Sequence, residues 1–234
     1  MKRVLIKLSG EALAHNNANG DIYDASFVDG VAKVIKECSD EGYEISVVVG
    51  AGNIWRGRQG TEMDRTAADR MGMLATVINA IYLKDALERA GKSAAVMTAV
   101  PMYPFAENYS AEAAVAHLES GKVVIFGAGL GIPFLSTDTA GAVRAAEIGV
   151  DAILMAKNVD YIYTDDPNKN PEAKKLEKVK ATQVLAMNLK AIDATATAFC
   201  LSTGVPVHVF GFKSPEDIAK AIRGEISGTV ITAE

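Results

Sequence analysis

Short apolar runs alternate along the chain with longer stretches in which apolar residues recur every three or four positions. The short runs predict β-strands at residues 3–8, 44–49, 93–97, 123–126, 152–155, 205–210 and 229–232. The longer stretches predict helices at residues 27–41, 64–90, 111–118, 138–148, 192–202 and 215–223. Several strands are apolar throughout, which is typical of strands covered on both faces. The pattern therefore predicts an α/β fold, a three-layer αβα sandwich around a mainly parallel central sheet.

No repeat, low-complexity tract or proline-rich linker divides the 234 residues. The most polar stretch, residues 163–180, contains adjacent aspartates and several lysines, and we interpret it as a loop or a small excursion rather than a domain boundary. A chain of this length can bury a substantial core in one unit. We therefore expect a single domain that spans residues 1–234.

Charge and cysteine content narrow the class of protein. The 24 lysines and arginines are outnumbered by 29 aspartates and glutamates, which argues against a general nucleic-acid binder. The two cysteines, Cys38 and Cys200, have no CxxC or CxxH spacing, so neither a disulfide framework nor a cysteine-based zinc site is expected. No apolar run has the length of a membrane span, and the N-terminus lacks the apolar segment of a signal peptide. We expect a cytoplasmic protein without nucleic-acid or membrane partners.

Small, glycine-bearing turns follow three of the predicted strands. Lys7, Ser9 and Gly10 end the first strand, Gly-Ala-Gly-Asn at 50–53 follows the second, and Gly-Ala-Gly-Leu-Gly at 127–131 follows another. Turn amides and a lysine suit phosphate oxygens, and ligands of open α/β sheets lie beyond the carboxyl ends of the strands. The three turns predict one binding region for a polyanion.

Other nucleotide and catalytic signatures are absent from the sequence. It has no GxxxxGK[ST] loop and no protein-kinase motif set, and the glycines at 127–131 are one residue short of the dinucleotide fingerprint. The three histidines, His15, His117 and His208, form no catalytic or metal-binding spacing. Phosphoryl transfer to an acceptor that is already anionic needs positioning and charge neutralisation rather than a general base.

Two predicted helix starts carry polar residues with two possible roles each. Ser136 or Thr137 can cap the helix that follows; alternatively, the free N–H groups at the start of that helix can bind an anion. Asp138 near a phosphate is useful only if it orients a lysine or holds Mg²⁺. An acid within residues 64–70 is either a solvated helix start or an acceptor for ribose hydroxyls.

Five segments, in order along the chain, resemble a known family. They are Lys-Leu-Ser-Gly-Glu-Ala-Leu at 7–13, Val-Gly-Ala-Gly-Asn-Ile-Trp-Arg-Gly at 49–57, Asp-Arg-Met-Gly-Met-Leu-Ala-Thr at 69–76, Gly-Ile-Pro-Phe-Leu-Ser-Thr-Asp at 131–138 and Val-Asp-Tyr-Ile-Tyr-Thr-Asp-Asp-Pro at 159–167. Together they resemble the amino acid kinase superfamily, and within it the bacterial uridylate (UMP) kinases, over nearly the whole chain.

This resemblance implies a phosphotransferase that moves the γ-phosphoryl group of ATP to UMP, giving UDP and ADP in pyrimidine nucleotide biosynthesis. It implies Mg²⁺ that arrives with ATP and binds mainly to phosphate oxygens. It also implies a homohexamer built as a trimer of dimers, with activation by GTP and inhibition by UTP.

By position, the resemblance implies that Lys7 and Asp138 are catalytic, with Lys7 on the transferred phosphoryl group and Asp138 orienting the lysine. The implied ATP-binding residues are Lys7, Leu8, Ser9, Gly10, Gly52, Arg56, Lys157, Asn158, Tyr163 and Asp166; Tyr163 and Asp166 would flank the adenosine, together with Lys157 or Asn158. The implied UMP-binding residues are Ala51, Asp69, Leu130, Gly131, Ile132, Pro133, Phe134, Leu135, Ser136 and Thr137. Asp69 would contact the ribose, and no residue is assigned as a metal ligand.

The chain departs from the family pattern at three places. Ala51 replaces the middle glycine of the second turn, which is harmless only if its φ stays negative. Tyr161 stands where the family usually has glycine, and residues 15–23 differ from the family's compact turn in the region that carries GTP regulation. Two alternative functions stay open: a kinase of the same superfamily that phosphorylates a carboxylate or carbamate, and a nucleotide- or oxyanion-binding protein without catalysis.

Overall fold

The computed structural model describes residues 2–15, 20–55, 62–165, 169–189 and 192–233. The strands are β1 (Arg3–Leu8), β2 (Glu44–Val49), β3 (Ala94–Thr98), β4 (Glu107–Asn108), β5 (Val123–Gly127), β6 (Ala152–Lys157), β7 (Ile162–Tyr163), β8 (Lys175–Leu176), β9 (Lys178–Lys180), β10 (Val207–Gly211) and β11 (Thr229–Thr232). The helices are α1 (Gly10–Leu13), α2 (Ala25–Asp40), α3 (Arg65–Arg89), α4 (Ala111–Glu119), α5 (Thr137–Glu147), α6 (Ala181–Ala186), α7 (Ala194–Thr203) and α8 (Glu216–Arg223).

Nine of the described strands form one sheet in the order β4-β3-β5-β2-β1-β6-β10-β11-β9. The pairings are parallel except that β11 runs antiparallel to β10. Strands β7 and β8 form a separate antiparallel pair. The predicted α/β fold with a mainly parallel sheet is confirmed, and each of the seven predicted strands is present. The unpredicted strands β4, β7, β8 and β9 have only two or three residues, too few to show a hydrophobic period.

Helices cover both faces of the sheet, and the central strand β1 contributes to both cores. Val4, Ile6 and Leu8 pack in one apolar cluster with α2, α3 and α8. Leu5 packs in the other cluster, with α4, α5 and α7. Since side chains alternate along a strand, Lys7 projects to the same face as Leu5, toward α5. The fold thus directs the one charged side chain near the end of β1 at the start of α5.

Helix α3 has an apolar face that the described parts of the chain leave exposed. Met71, Leu74, Ile78 and Ile81 recur at helical spacing and are 39% to 54% exposed. We call this surface the α3 stripe. None of the helices in the described ranges is both long and apolar enough to cross a membrane.

Candidate active site

Lys7 and Lys157 hold the same carboxylate, that of Asp138, between them. The Nζ atom of Lys7 lies 2.6 Å from Oδ1 of Asp138, and the Nζ atom of Lys157 lies 3.0 Å from Oδ2. The three side chains are only 9%, 22% and 12% exposed for Lys7, Lys157 and Asp138. The lysines come from the carboxyl ends of β1 and β6, which are neighbouring strands, and the aspartate comes from the first turn of α5. Two ammonium groups share one carboxylate, so this group of three side chains carries a net positive charge.

Burial and mutual attraction act in opposite directions on these groups. Burial by itself would raise the pKa of Asp138, but the positive charges of Lys7 and Lys157 outweigh it and hold that pKa below the usual carboxyl value. Burial lowers the pKa of Lys157; Asp138 raises it, and the nearby charge of Lys7 lowers it further. Asp138 therefore stays ionised at neutral pH and compensates both lysines.

Helix α5 begins with a serine cap that fixes the position of Asp138. Ser136 has extended backbone geometry, and its Oγ accepts hydrogen bonds from the backbone N–H groups of Asp138, at 3.0 Å, and Thr139, at 3.1 Å. A hydroxyl at this position satisfies N–H groups that the helix itself leaves unpaired. The capping role that the sequence allowed for Ser136 is confirmed.

The turns after β1 and β2 pack against each other without room for a side chain. Ser9 caps the short helix α1, and the Gly50 N–H donates to the Leu8 carbonyl at 2.8 Å. A Cβ atom on Gly10 would lie 2.4 Å from Oδ1 of Asn53 and 2.6 Å from the backbone nitrogen of Gly52. The φ of Ala51 lies outside the left-handed region, so the methyl group there introduces no backbone strain.

A buried asparagine that the sequence analysis missed supports the second of these turns. Asn79, on α3, is fully buried; its Nδ2 donates to the Gly50 carbonyl at 2.7 Å and to Oδ1 of Asn53 at 2.8 Å. Its Oδ1 accepts hydrogen bonds from Tyr23 Oη and from Nδ2 of Asn53. All the polar atoms of this amide are thus used to hold the turn in place.

Two cavities open at this edge of the sheet. The first, of about 450 Å³, is lined by Lys7, Ser136, Thr137, Asp138, Lys157, Val184, Leu185, Asn188, Leu189, Ile192, Asp193, Ala194 and Thr197. The second, of about 380 Å³, is lined by Ala51, Gly52, Trp55, Arg65, Asp69, Gly72, Met73, Thr76, Gly129, Leu130, Ile132, Phe134, Leu135, Ser136 and Thr137. Ser136 and Thr137 line both, so the start of α5 is the wall between the two cavities.

The segment that covers the second cavity is fixed by contacts with α3. Asp69 Oδ2 accepts the backbone N–H of Phe134 at 2.9 Å, and Arg65 Nε donates to its Oδ1 at 2.9 Å. Phe134 has a φ of 70°, unusual for a bulky residue, and the Arg65 guanidinium lies 5.8 Å from its ring centre. Thr76 Oγ1 accepts the N–H of Ala128, another residue with positive φ. Side chains of α3 thus stabilise a strained segment at the mouth of this cavity.

Most of the predicted site residues meet around the two cavities. Lys7, Asp138 and Lys157 line the first; the predicted UMP residues line the second, apart from Gly131 and Pro133, which lie in the same segment. Gly52, predicted for ATP, lies beside Ala51 in the second cavity. The predicted ATP-binding residues that line neither cavity are Leu8, Ser9, Gly10, Asn158 and Tyr163, while Arg56 and Asp166 fall outside the described residues.

The sequence analysis also missed residues that line the two cavities, some of them inside the recognised segments and others in parts of the chain without a recognised motif. The first cavity gains residues of the α6–α7 region, including Asn188 and Asp193; the second gains Trp55, Arg65 and Thr76. The sequence signal at Asp193 was weak, because an aspartate at the start of the predicted helix 192–202 is typical of helix caps in general.

Gly10→Ala is expected to disturb the contact between the two turns and to lower kcat/KM by about 100-fold, because a 1 Å shift of groups that position substrate has effects of this size. The atoms that the new methyl group would meet are backbone atoms of residues 51 and 52 and the Asn53 side chain, which cannot all move away. Steady-state kinetics measure the loss. Gly141→Ala is the matched control, since its Cβ would make an ordinary contact of 3.5 Å with Leu5; equal activity of the two variants would contradict the prediction.

Comparison with known proteins identifies the class of protein. The model of the amino acid kinase family matches residues 2–211, and the chain belongs to this family. Among solved structures it is similar to the UMP kinase of Bacillus anthracis, with 39% identity and a TM-score of 0.93 over 100% of this chain and 96% of that one. It is similar to the UMP kinase of Ureaplasma parvum, with 37% identity and a TM-score of 0.92 over 99% and 98% of the two chains.

A more distant similarity is to the uridylate kinase of Archaeoglobus fulgidus, with 27% identity and a TM-score of 0.76 over 99% of this chain and 100% of that one. The resemblance to the amino acid kinase superfamily and its uridylate kinases, which five sequence segments predicted, is confirmed.

Proposed function

We propose that the chain is a UMP kinase, which transfers the γ-phosphoryl group of ATP to UMP and releases UDP and ADP. The observation that carries the proposal is the pair of lysines on one carboxylate, at the wall between two cavities. The likeness to UMP kinases over the full chain supports the choice of acceptor. The chain forms one amino acid kinase-like domain, in which ATP occupies the first cavity and UMP occupies the second.

The reaction needs no base from the protein. A phosphate oxygen of UMP, already anionic at neutral pH, attacks the γ-phosphorus; the bond from that phosphorus to the β–γ bridging oxygen breaks, and ADP leaves with the electron pair. The barrier lies in bringing two anions together, since like unit charges 4 Å apart repel by about 4 kcal/mol at an effective dielectric constant of 20. The protein therefore contributes positive charge and alignment.

Lys7 and Lys157 supply that charge at the point where the phosphoryl group is transferred. Each ammonium contacts Asp138 with one side and borders the first cavity with the other. Asp138 holds the two cations at fixed positions, so they need not reorganise as charge develops on the equatorial oxygens. Lys157, for which the sequence suggested a place beside the adenosine, thereby becomes a second phosphate ligand in this proposal.

The cavities fit a metal ion that enters on the nucleotide. Within the described residues, no three His, Cys, Asp or Glu side chains come together as a metal site, and both carboxylates of the first cavity are engaged by lysines, hydroxyls or a backbone amide. Mg²⁺ characteristically binds one or two carboxylates plus substrate phosphates. Bound to ATP, it would neutralise negative charge on the phosphate oxygens.

Asp69→Asn is expected to raise the KM for UMP by about 10-fold with a smaller effect on kcat, because a charge-assisted hydrogen bond to a ribose hydroxyl contributes about 1.5–3 kcal/mol. Asp69 lies in the second cavity and retains lone pairs beyond those that Phe134 and Arg65 use. Initial rates over a range of UMP concentrations measure the change. Asp64→Asn, at the cap of the same helix, is the matched control, because asparagine caps as well as aspartate. An unchanged KM in Asp69→Asn would remove ribose binding from this residue.

The α3 stripe supports the further proposal that the enzyme is a homo-oligomer, a hexamer assembled from dimers. Its four apolar residues recur at helical spacing and stay exposed among the described residues, which is typical of a helix face that packs against another protein surface. We place the enzyme in the cytoplasm, within pyrimidine nucleotide synthesis, with GTP and UTP as effectors. Residues 16–19 of the segment implicated in GTP regulation lie outside the described residues.

A panel of phosphoryl acceptors tests the proposed function directly. Release of ADP from ATP and Mg²⁺ is measured with UMP, CMP and other nucleoside monophosphates, and with acetylglutamate, glutamate, aspartate and carbamate, each with and without GTP or UTP. We expect turnover with UMP above all others. Phosphorylation of an amino acid but not UMP would favour another kinase of the family, and binding of ATP and UMP without turnover would favour the non-catalytic alternative. Lys7→Ala protein purified in the same way controls for contaminating kinases.

A further inference from the structure

Asp193 occupies the first cavity without a role in the mechanism described so far. It precedes α7, and its Oδ1 accepts the backbone N–H of Ala196 at 2.8 Å, the ordinary contact of a helix cap. Serine, threonine or asparagine would serve equally well as caps. A carboxylate in a cavity that receives polyphosphate opposes the ligand by its charge, so capping alone does not account for an aspartate here.

The carboxylate makes further contacts that reach a second helix. Thr139 Oγ1 donates to both oxygens of Asp193, at 3.0 and 3.2 Å, and Ser136 Oγ donates to Oδ2. Thr139 and Ser136 both belong to the start of α5. Asp193 therefore accepts one backbone N–H from the first turn of α7 and two hydroxyls from the start of α5, and so connects the two helices.

One of these contacts leads straight to the lysine-binding aspartate. Because the Ser136 hydroxyl gives its only hydrogen to Asp193, its lone pairs face the N–H groups of Asp138 and Thr139. The hydrogen bonds thus run in series, from the Asp138 amide to Ser136 and on to Asp193. The orientation of Asp138, and with it the separation of Lys7 and Lys157, depends on this series.

The same contacts hold the wall between the two cavities. Ser136, which donates to Asp193, lines both cavities, as does Thr137 beside it. A shift of the α5 start would move the donor phosphates and the acceptor phosphate relative to each other. Since alignment of reacting groups is worth several orders of magnitude in rate, small displacements here are costly.

We infer that Asp193 is a positioning residue for phosphoryl transfer, which anchors the first turn of α5 to α7 and so fixes Asp138 and its two lysines. The inference rests on the proposed function for its effect on rate, but the anchoring itself is a property of the folded protein. The inference predicts that loss of this anchor lowers kcat and leaves the KM for UMP nearly unchanged, because Asp193 does not line the cavity assigned to UMP.

The test uses Asp193→Asn, Thr139→Val and the double variant in the full chain. Asparagine keeps the cap on α7 but offers one oxygen in place of two, and valine removes only the Thr139 hydroxyl, which does not line either cavity. We expect each single variant to lower kcat by at least about 10-fold, with the KM for UMP within about 3-fold of the unmodified protein. If the two residues act through the same contact, the double variant is no slower than the slower single one. Additive losses, or an unchanged kcat in Thr139→Val, would overturn the inference.

Amide hydrogen exchange gives a second readout that does not require kinase activity. If Asp193 anchors α5, both single variants accelerate exchange at the amides of Asp138 and Thr139 by about 10-fold, because local opening becomes easier. If Asp193 serves only as the α7 cap, which asparagine retains, exchange at the amides of Asp138 and Thr139 is unchanged in both single variants, and the inference fails. Thr203→Val is the matched control, since its hydroxyl binds a backbone carbonyl at the far end of α7. A protein that shows the exchange effect but does not phosphorylate UMP would refute the proposed function and leave the anchor established.

Discussion

Lys7→Ala is expected to lower kcat by about 100- to 1,000-fold, the loss found when a positioned donor to transition-state charge is removed. The ammonium lies at the end of the central strand, held by Asp138, and borders the first cavity. Because it stabilises charge that grows during transfer, its loss affects the chemical step more than the binding of UMP. Initial rates at saturating ATP and UMP measure this effect.

Lys36→Ala is the matched control for Lys7→Ala, since Lys36 also forms an ion pair of 2.6 Å with an aspartate, but on the surface of α2. We expect that control to leave kcat unchanged. The β1 side chains that face α2 are untouched in Lys7→Ala, so its far-ultraviolet circular dichroism should match that of the unmodified protein. A folded Lys7→Ala protein with a near-normal kcat would refute the catalytic assignment.

Asp138→Ala is expected to lower both activity and stability. Removing one partner from a buried ion pair typically costs 3–5 kcal/mol, roughly the range we expect here for the free energy of unfolding. The ammonium groups of Lys7 and Lys157 would then lie near each other without the carboxylate that compensates their charge. The pKa of Lys157 would fall further, because Asp138 raises it more than Asp193, the other carboxylate that acts on it. We expect kcat to fall by about 100-fold from lost alignment of the lysines.

Urea unfolding and saturating-substrate kinetics measure the two effects of Asp138→Ala separately. Asp217→Ala is the matched control for stability, since Asp217 also accepts backbone N–H groups at the start of a helix but has no place in either cavity. A loss of stability no larger than in the control would mean that Asp138 does not compensate the lysines. Retained kcat would remove it from the catalytic centre.

The central sheet was predictable because buried parallel strands contain runs of apolar residues, and the chain has such runs in strands such as β2, β5 and β6. Lys7 stood out for the same reason: it interrupts an otherwise apolar strand at its carboxyl end. Recognised motifs then predicted Asp138 and the segment from Leu130 to Thr137. The structure brings these residues to one edge of the sheet because the carboxyl ends of parallel strands meet there.

What the sequence did not predict depends on contacts between residues far apart in the chain. Asp193 meets Ser136 across 57 residues, and Tyr23 meets Asn79 across 56. Hydrophobic periodicity shows which face of a helix is buried, but not which helix ends lie next to each other. Asn79 left one trace, a polar residue on the buried side of α3, and polar residues there are informative when they are fully hydrogen-bonded.

The alternation of side chains along β1 has a consequence for how the chain folds. Pairing shifted by one residue would turn Lys7 into the apolar layer beneath α2 and bring Leu8 to the mouth of the cavity. An unpaired ammonium in that layer would be strongly unfavourable, so the shifted sheet is disfavoured by the same side chain that serves the reaction. The lysine thus protects the fidelity of folding, and a variant that replaces it with an apolar residue of similar length would lose a safeguard against misfolded chains as well as an enzyme activity.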